Sequence, residues 1–180
     1  MKNIDVRKLA GTTTLASLVV VLDYTMKYSG LKLPFPILPD LKFDFTGIPI
    51  VLSLYLYGLV PGVFTSTIAF VAILARSGNL LASSMKAIAE LSTVIGITLA
   101  SKISTRSKRS MEYTFGISLR CLSMALLNVP LFTVYYIPFT VAFNAIQGSI
   151  SILGAYFIYE AVKKRTTSLE QDTTKHITVP

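Results

Sequence analysis

The chain has 180 residues, of which 52% are hydrophobic and only 14% charged, against roughly 25% charged in a soluble domain. So few charges cannot clothe a water-facing surface, which excludes a soluble enzyme, a coiled coil and a disordered chain. The formal net charge of +8 is accounted for by the positive-inside rule of membrane proteins, so no nucleic-acid partner is expected.

The first apolar block runs from about Leu9 to Leu22, after Arg7 and Lys8. A cleaved signal peptide is disfavoured there, because the run is rich in threonine and lacks a clear small-x-small cleavage site. A loop from about Lys27 to Phe45 follows. Its centre, Leu31-Lys32-Leu33-Pro34-Phe35-Pro36-Ile37-Leu38-Pro39-Asp40, cannot be a regular helix because of its prolines. It is nevertheless apolar, so it packs on its own protein or acts as a lid over a site. From Gly47 to Ala75 the chain is free of charge. As one helix this stretch would reach roughly 43 Å, longer than the hydrocarbon core of about 30 Å. Two short or tilted helices joined by a tight turn at Pro61-Gly62 fit better. Further blocks run from about Ala87 to Ala100, Tyr113 to Val129 and Phe139 to Val162.

The expected fold is therefore an all-α integral membrane protein, a compact bundle of six transmembrane helices over residues 1–165. A polar tail over 166–180 is expected to lack regular structure. Basic residues set the orientation. Lys2, Arg7 and Lys8 precede helix 1. Lys102, Arg106, Lys108 and Arg109 separate helices 4 and 5, and Lys163, Lys164 and Arg165 follow helix 6. These clusters fall on one side, which places both termini in the cytoplasm and the chain as a multi-pass protein in the cell membrane.

Polar groups inside a bilayer must find a partner or meet water. Asp44, Glu90, Asn128, Asn144 and Gln147 come from four helices, yet all fall at outer depth in this topology. They serve either as interhelical hydrogen-bonding glue or as a ligand pocket. Their convergence beside a proline-rich apolar loop favours the pocket. Phe43, Phe45, Tyr135, Tyr136, Phe139 and Phe143 lie close in sequence to them. Amides and aromatics together suit a flat, neutral, hydrogen-bonding ligand. Lys42, Arg76 and Lys86 read as outer-face charges. Arg120 reads as snorkelling to the inner surface, or as pairing with an acid on another helix; Asp23 lies at the wrong depth. In helix 1, Thr12 with Ala16 and Thr13 with Ser17 are small residues one turn apart. They serve packing within the chain or docking onto a separate membrane subunit. The chain has no GxxxxGK[ST] loop, its lone Cys121 can form no internal disulfide, and its lone His176 sits in the tail. Catalysis is not expected, and neither is a metal site.

Four stretches carry a family resemblance. They are Val6-Arg7-Lys8-Leu9 leading into the small-residue helix, Lys42-Phe43-Asp44-Phe45-Thr46-Gly47-Ile48-Pro49, Tyr57-Gly58-Leu59-Val60-Pro61-Gly62-Val63, and the pair Met124-Ala125-Leu126-Leu127-Asn128 with Phe143-Asn144-Ala145-Ile146-Gln147-Gly148. In order and spacing these resemble the substrate-binding S components of energy-coupling factor (ECF) vitamin transporters, the riboflavin type in particular. The resemblance implies a six-helix subunit that works with a transmembrane scaffold and two cytoplasmic ATPases. Riboflavin would be its transported ligand and not a cofactor. Asn128 and Asn144 match ligand-contacting asparagines, and Glu90 matches an acid early in helix 4. Gln147 stands where that type usually has lysine, and Thr67-Ile68-Ala69-Phe70-Val71 lacks that type's Lys-Asn pair. The expected substrate-binding set is Lys42, Phe43, Asp44, Glu90, Asn128, Phe143, Asn144 and Gln147. Thr12, Thr13, Ala16 and Ser17 are the expected scaffold-docking set. An S component for another vitamin, or a solitary small-molecule transporter, is the alternative.

Overall fold

The computed structural model describes residues 5–103, 108–131 and 134–177, with side chains as far as Arg165. Lys2 and Arg106, two of the basic residues used for orientation, lie outside the described residues. In chain order the elements are α1 (Val6–Tyr28), the short strands β1 (Leu33–Pro34) and β2 (Lys42–Phe43), α2 (Gly47–Tyr57), α3 (Leu59–Ser77), α4 (Leu80–Ile103) and α5 (Lys108–Leu131). A 3-10 turn (Val134–Tyr136) leads into α6 (Ile137–Ile177).

There are thus six helices among the described residues, but five of them are long and apolar enough to cross a membrane. The sixth, α2, has 11 residues and reaches about 16 Å, half a hydrocarbon core. It is instead an inner element. Most of it is buried, and Ile50, Val51, Leu52 and Leu54 form the core with Val19, Val94, Ile97 and Ile152. Helices α1, α3, α4 and α6 pack around it. The outward faces are apolar: Val21, Phe64, Val71, Leu126 and Phe157 are all more than 45% exposed. That inverted surface suits lipid, and the chain is a multi-pass membrane protein.

The break between α2 and α3 falls at Gly58 rather than at Pro61-Gly62. Gly58 has φ +95°, a conformation that costs glycine nothing and other residues much. Pro61 lies in the first turn of α3, where its missing N–H would have had no helical partner anyway. Helix ends also extend beyond the sequence-based blocks. α4 begins at Leu80 rather than Ala87, α5 begins at Lys108, and α5 carries Pro130 inside its last turn. No break marks the boundary drawn at residue 165: the backbone of α6 continues to Ile177, and no glycine or proline interrupts it after Gly154.

The proline-rich loop is a small antiparallel hairpin, with Leu33 opposite Phe43 and Pro34 opposite Lys42. Its tip is closed by Phe35 N–H to Leu41 O (2.7 Å), Leu38 N–H to Phe35 O (3.1 Å) and Leu41 N–H to Leu38 O (2.9 Å). Proline is tolerated because each strand has an open edge.

Candidate functional site

An ionic chain crosses one end of the bundle. In α1, Asp23 accepts from Arg76 Nε at 2.6 Å and from Lys32 Nζ at 2.5 Å. Lys32 lies 3.8 Å from Asp44. Asp44 accepts from Lys86 Nζ at 2.8 Å, and Lys86 lies 3.1 Å from Glu90 Oε1. Arg120 Nη1 reaches the same Glu90 oxygen at 3.1 Å. The chain ends where Arg120 donates to Asn144 Oδ1 (3.1 Å) and Thr93 Oγ1 (3.2 Å). It therefore ties α1, α3, the loop, α4, α5 and α6 together.

This arrangement decides between the two readings of Arg120 and gives two of the expected outer-face charges their partners. Arg120 does not snorkel; it pairs with an acid on another helix, Glu90, and is 1% exposed. The true helix starts explain why. Leu80 and Lys108 open α4 and α5 earlier than their apolar blocks do, so Glu90 and Arg120 both sit near mid-helix and meet. Lys86 and Arg76, read as outer-face charges, are each bound to a carboxylate. Lys86 was legible as a partner of Glu90 from its spacing, since residues four apart share a helix face.

Asp44 is the hub of the loop. Its Oδ1 caps Thr46, accepting from Thr46 N–H at 3.2 Å and Oγ1 at 2.7 Å. Burial pushes its carboxyl up, but the ammonium groups of Lys86 and Lys32, with hydrogen bonds from Lys86 and Thr46, reverse this and hold it at about 2. Gln147 clasps the backbone of the same residue from α6. Its Nε2 donates to Asp44 O at 2.7 Å, and its Oε1 accepts from Asp44 N–H at 3.2 Å. Glu90 Oε2 has no hydrogen-bond partner among the described residues and lies against Gly47. A Cβ at Gly47 would stand 2.9 Å from that oxygen and collide with Ser151, so only glycine fits.

The loop rests on α6 through rings. Phe35, which is buried, stands edge-on to Phe43 (centroids 5.9 Å, 89°) and to Phe143 (5.7 Å, 62°). Phe43 and Phe143 lie 4.9 Å apart at 30°. Phe143 is the residue before Asn144, so the aromatic cluster and the amides share one region of α6. Sequence reasoning missed Phe35, although it is the one aromatic among the loop's prolines.

The expected binding residues thus divide. Asp44, Glu90, Asn144 and Gln147 belong to one connected polar group, and Phe43 and Phe143 adjoin it. Asn128 is buried and donates to Met124 O of its own helix at 2.6 Å. Asn144 also donates to its own helix, at Thr140 O (2.9 Å). Lys42 is exposed at the strand edge. Tyr135 and Phe139 form a separate ring pair at 5.8 Å, and Phe45 is 49% exposed.

The small residues of α1 also divide. Thr12 and Ala16 are buried in the bundle, whereas Thr13 and Ser17 are exposed. Exposed Ala10 and Thr14 extend the outward stripe. Thr13 and Thr14 donate their hydroxyls to Leu9 O and Ala10 O, so the stripe presents methyl groups and backbone.

No protein-family model matches the sequence, and no curated protein matches it. A solved structure described as "Structure and mechanism of the S component of a bacterial ECF transporter" is similar in fold. It is 20% identical, with a TM-score of 0.77, and the match covers 89% of this chain and 97% of that one. Nearly the whole of both chains superimposes, so this helical bundle shares its fold with that S component.

Proposed function

We propose that the chain is the substrate-binding subunit of an ECF-type transporter, capturing a vitamin, riboflavin first among candidates, for ATP-driven uptake. The observation that carries this reading is the closure of the hairpin onto α6. Phe35 meets Phe143 edge-on and Phe43 lies against it, directly beside Asn144 and Gln147, so rings and amides share one region under the loop. The likeness to a structure described as an ECF S component supports the same reading.

The hairpin end faces outward in this proposal, with both termini cytoplasmic in the cell membrane. A flat ligand lies against the phenylalanine rings. Asn144, Gln147 and Asn128 exchange their present protein partners for the ligand's polar edge, which limits the net gain per contact. Glu90 and Asp44 hold Arg120, Lys86 and the loop in place, and Lys42 stands at the rim. Thr13 and Ser17, with Ala10 and Thr14, form the docking stripe for a transmembrane scaffold carrying two ATPases. Thr12 and Ala16 set the packing behind that stripe. This chain's role is transport, and ATP hydrolysis belongs to its partners.

The test is an absorbance spectrum of the detergent-purified protein, with mass spectrometry of whatever denaturation releases. A flavin spectrum supports riboflavin. Release of another vitamin reassigns the substrate and keeps the subunit class. A protein that arrives empty and also fails to bind added riboflavin removes the riboflavin reading.

A further inference from the structure

At the end of the bundle opposite the hairpin, a cleft of about 550 Å³ opens between α2, α5 and α6. Nothing in the proposed vitamin site uses it. Its polar wall is the start of α5, where Lys108 and Glu112 stand one turn apart on the same face. Glu112 is 9% exposed. Its carboxylate makes no hydrogen bond and no ion pair within 4 Å among the described residues. Lys108 is exposed and likewise makes no ion pair there. The carboxylate lines the cleft and feels the charges of Lys108 and Arg109 from beyond ion-pair distance, so a cation entering the cleft meets an acid within reach.

The remaining walls say which cation. Tyr55, Tyr113, Tyr156 and Tyr159 line the cleft. Aromatic faces attract ammonium groups, and tyrosines gather at the membrane–water boundary. Arg109 already lies 4.4 Å from the centre of the Tyr156 ring and donates to Glu160 at 2.6 Å. That cation is therefore committed, and it fixes one wall. Ile152 and Leu153 carry the cleft along α6 toward mid-bundle, and the adjoining surface is apolar, with Leu153 44% and Phe157 68% exposed.

We infer that this cleft binds the headgroup of a zwitterionic aminophospholipid. The phosphate sits on Lys108 at the positive end of α5. The ammonium, two carbons away, sits on Glu112 among the tyrosines, and an acyl chain follows Ile152 and Leu153. One cation and one anion a helical turn apart match a headgroup that carries both charges. A purely anionic lipid would satisfy Lys108 but set a second negative charge beside Glu112.

The test uses the full chain, extracted into detergent and re-equilibrated with phosphatidylethanolamine or phosphatidylglycerol, with bound lipid counted by native mass spectrometry. Wild type is expected to retain phosphatidylethanolamine about tenfold over phosphatidylglycerol, the size of one charged hydrogen bond. Glu112→Gln should erase that preference. Lys108→Glu, on the exposed rim, should lower retention of both lipids about tenfold, and it keeps the question open to test if Glu112→Gln fails to fold. Equal retention of the two lipids by wild type, or an unchanged preference in Glu112→Gln, overturns the inference. So does unchanged binding by Lys108→Glu. Soluble glycerophosphoethanolamine is the third arm. If it displaces bound lipid at equal concentration, the site belongs to a free phosphoamine and the lipid assignment is overturned.

Discussion

Arg120 and Glu90 meet at 3.1 Å with side chains 1% and 0% exposed. Removing one partner of such a pair strands the other charge away from water, which costs about 3–5 kcal/mol. Glu90→Gln should therefore lower stability by that order in detergent unfolding. The double variant Glu90→Gln/Arg120→Met should recover most of the loss, because no buried charge is then left bare. Equal losses in the single and double variants would show that the pair's charges are not what Glu90→Gln disturbs.

Phe35 fastens the hairpin. Each ring pair contributes about 0.5–1.5 kcal/mol beyond burial, and Phe35 makes two. Phe35→Ala should loosen the loop without unfolding the bundle. Amide exchange in residues 33–43 should accelerate about tenfold or more, while exchange in α2 stays unchanged. Uniform acceleration in both would show that the loop and bundle open together.

Asn144→Ala removes an acceptor from Arg120 and, in the proposed site, a ligand contact. Riboflavin affinity should fall about 5- to 150-fold, matching 1–3 kcal/mol for an unpaired partner. Titration of the purified variant decides this, and wild-type affinity takes Asn144 out of the site.

The two faces of α1 predict opposite outcomes. Thr13→Leu with Ser17→Leu adds bulk to the exposed stripe, so scaffold co-purification should drop while ligand binding and stability hold. Thr12→Leu pushes a larger side chain into the bundle beside Ala16, where overpacking costs about 1–3 kcal/mol, so its melting temperature should fall. Persistent co-purification by the exposed-face variant would remove the docking assignment.

Asp44 gives the fold an acid limit. Its carboxyl is held at about 2, below the ordinary 3.8. A depressed folded-state value contributes stability that is present above 3.8 and lost as pH falls from there toward about 2. The melting temperature should decline across that window, and Asp44→Asn should show a smaller decline from a lower starting point. Parallel declines in both proteins would assign the acid limit to other groups.

The apolar blocks alone determined the class of this protein. Any chain with so many uncharged stretches near bilayer length must bury backbone polar groups in helices. Small-residue spacing marked α1 as a helix for close packing or docking, and the prolines barred a helix between α1 and α2. The polar residues that converge, Asp44, Glu90, Asn144 and Gln147, were also legible, because a charge or amide inside an apolar run stands out. Apart from Lys86, four residues before Glu90, their partners were not. Hydropathy locates a helix by its apolar centre and misses polar ends such as Leu80–Lys86 and Lys108–Glu112, so depths were misread and Arg120 was not matched to Glu90. Which face of α1 turns outward depends on where α2 and α3 press against it, and helical spacing leaves Thr12 and Thr13 equivalent until those neighbours are placed. The tertiary structure alone decided that α2 stops short as a buried core element, that the loop folds into a hairpin seated on Phe143, and that seven charges link into one ionic chain. Each of these depends on contacts between residues far apart in sequence, and no local pattern encodes them.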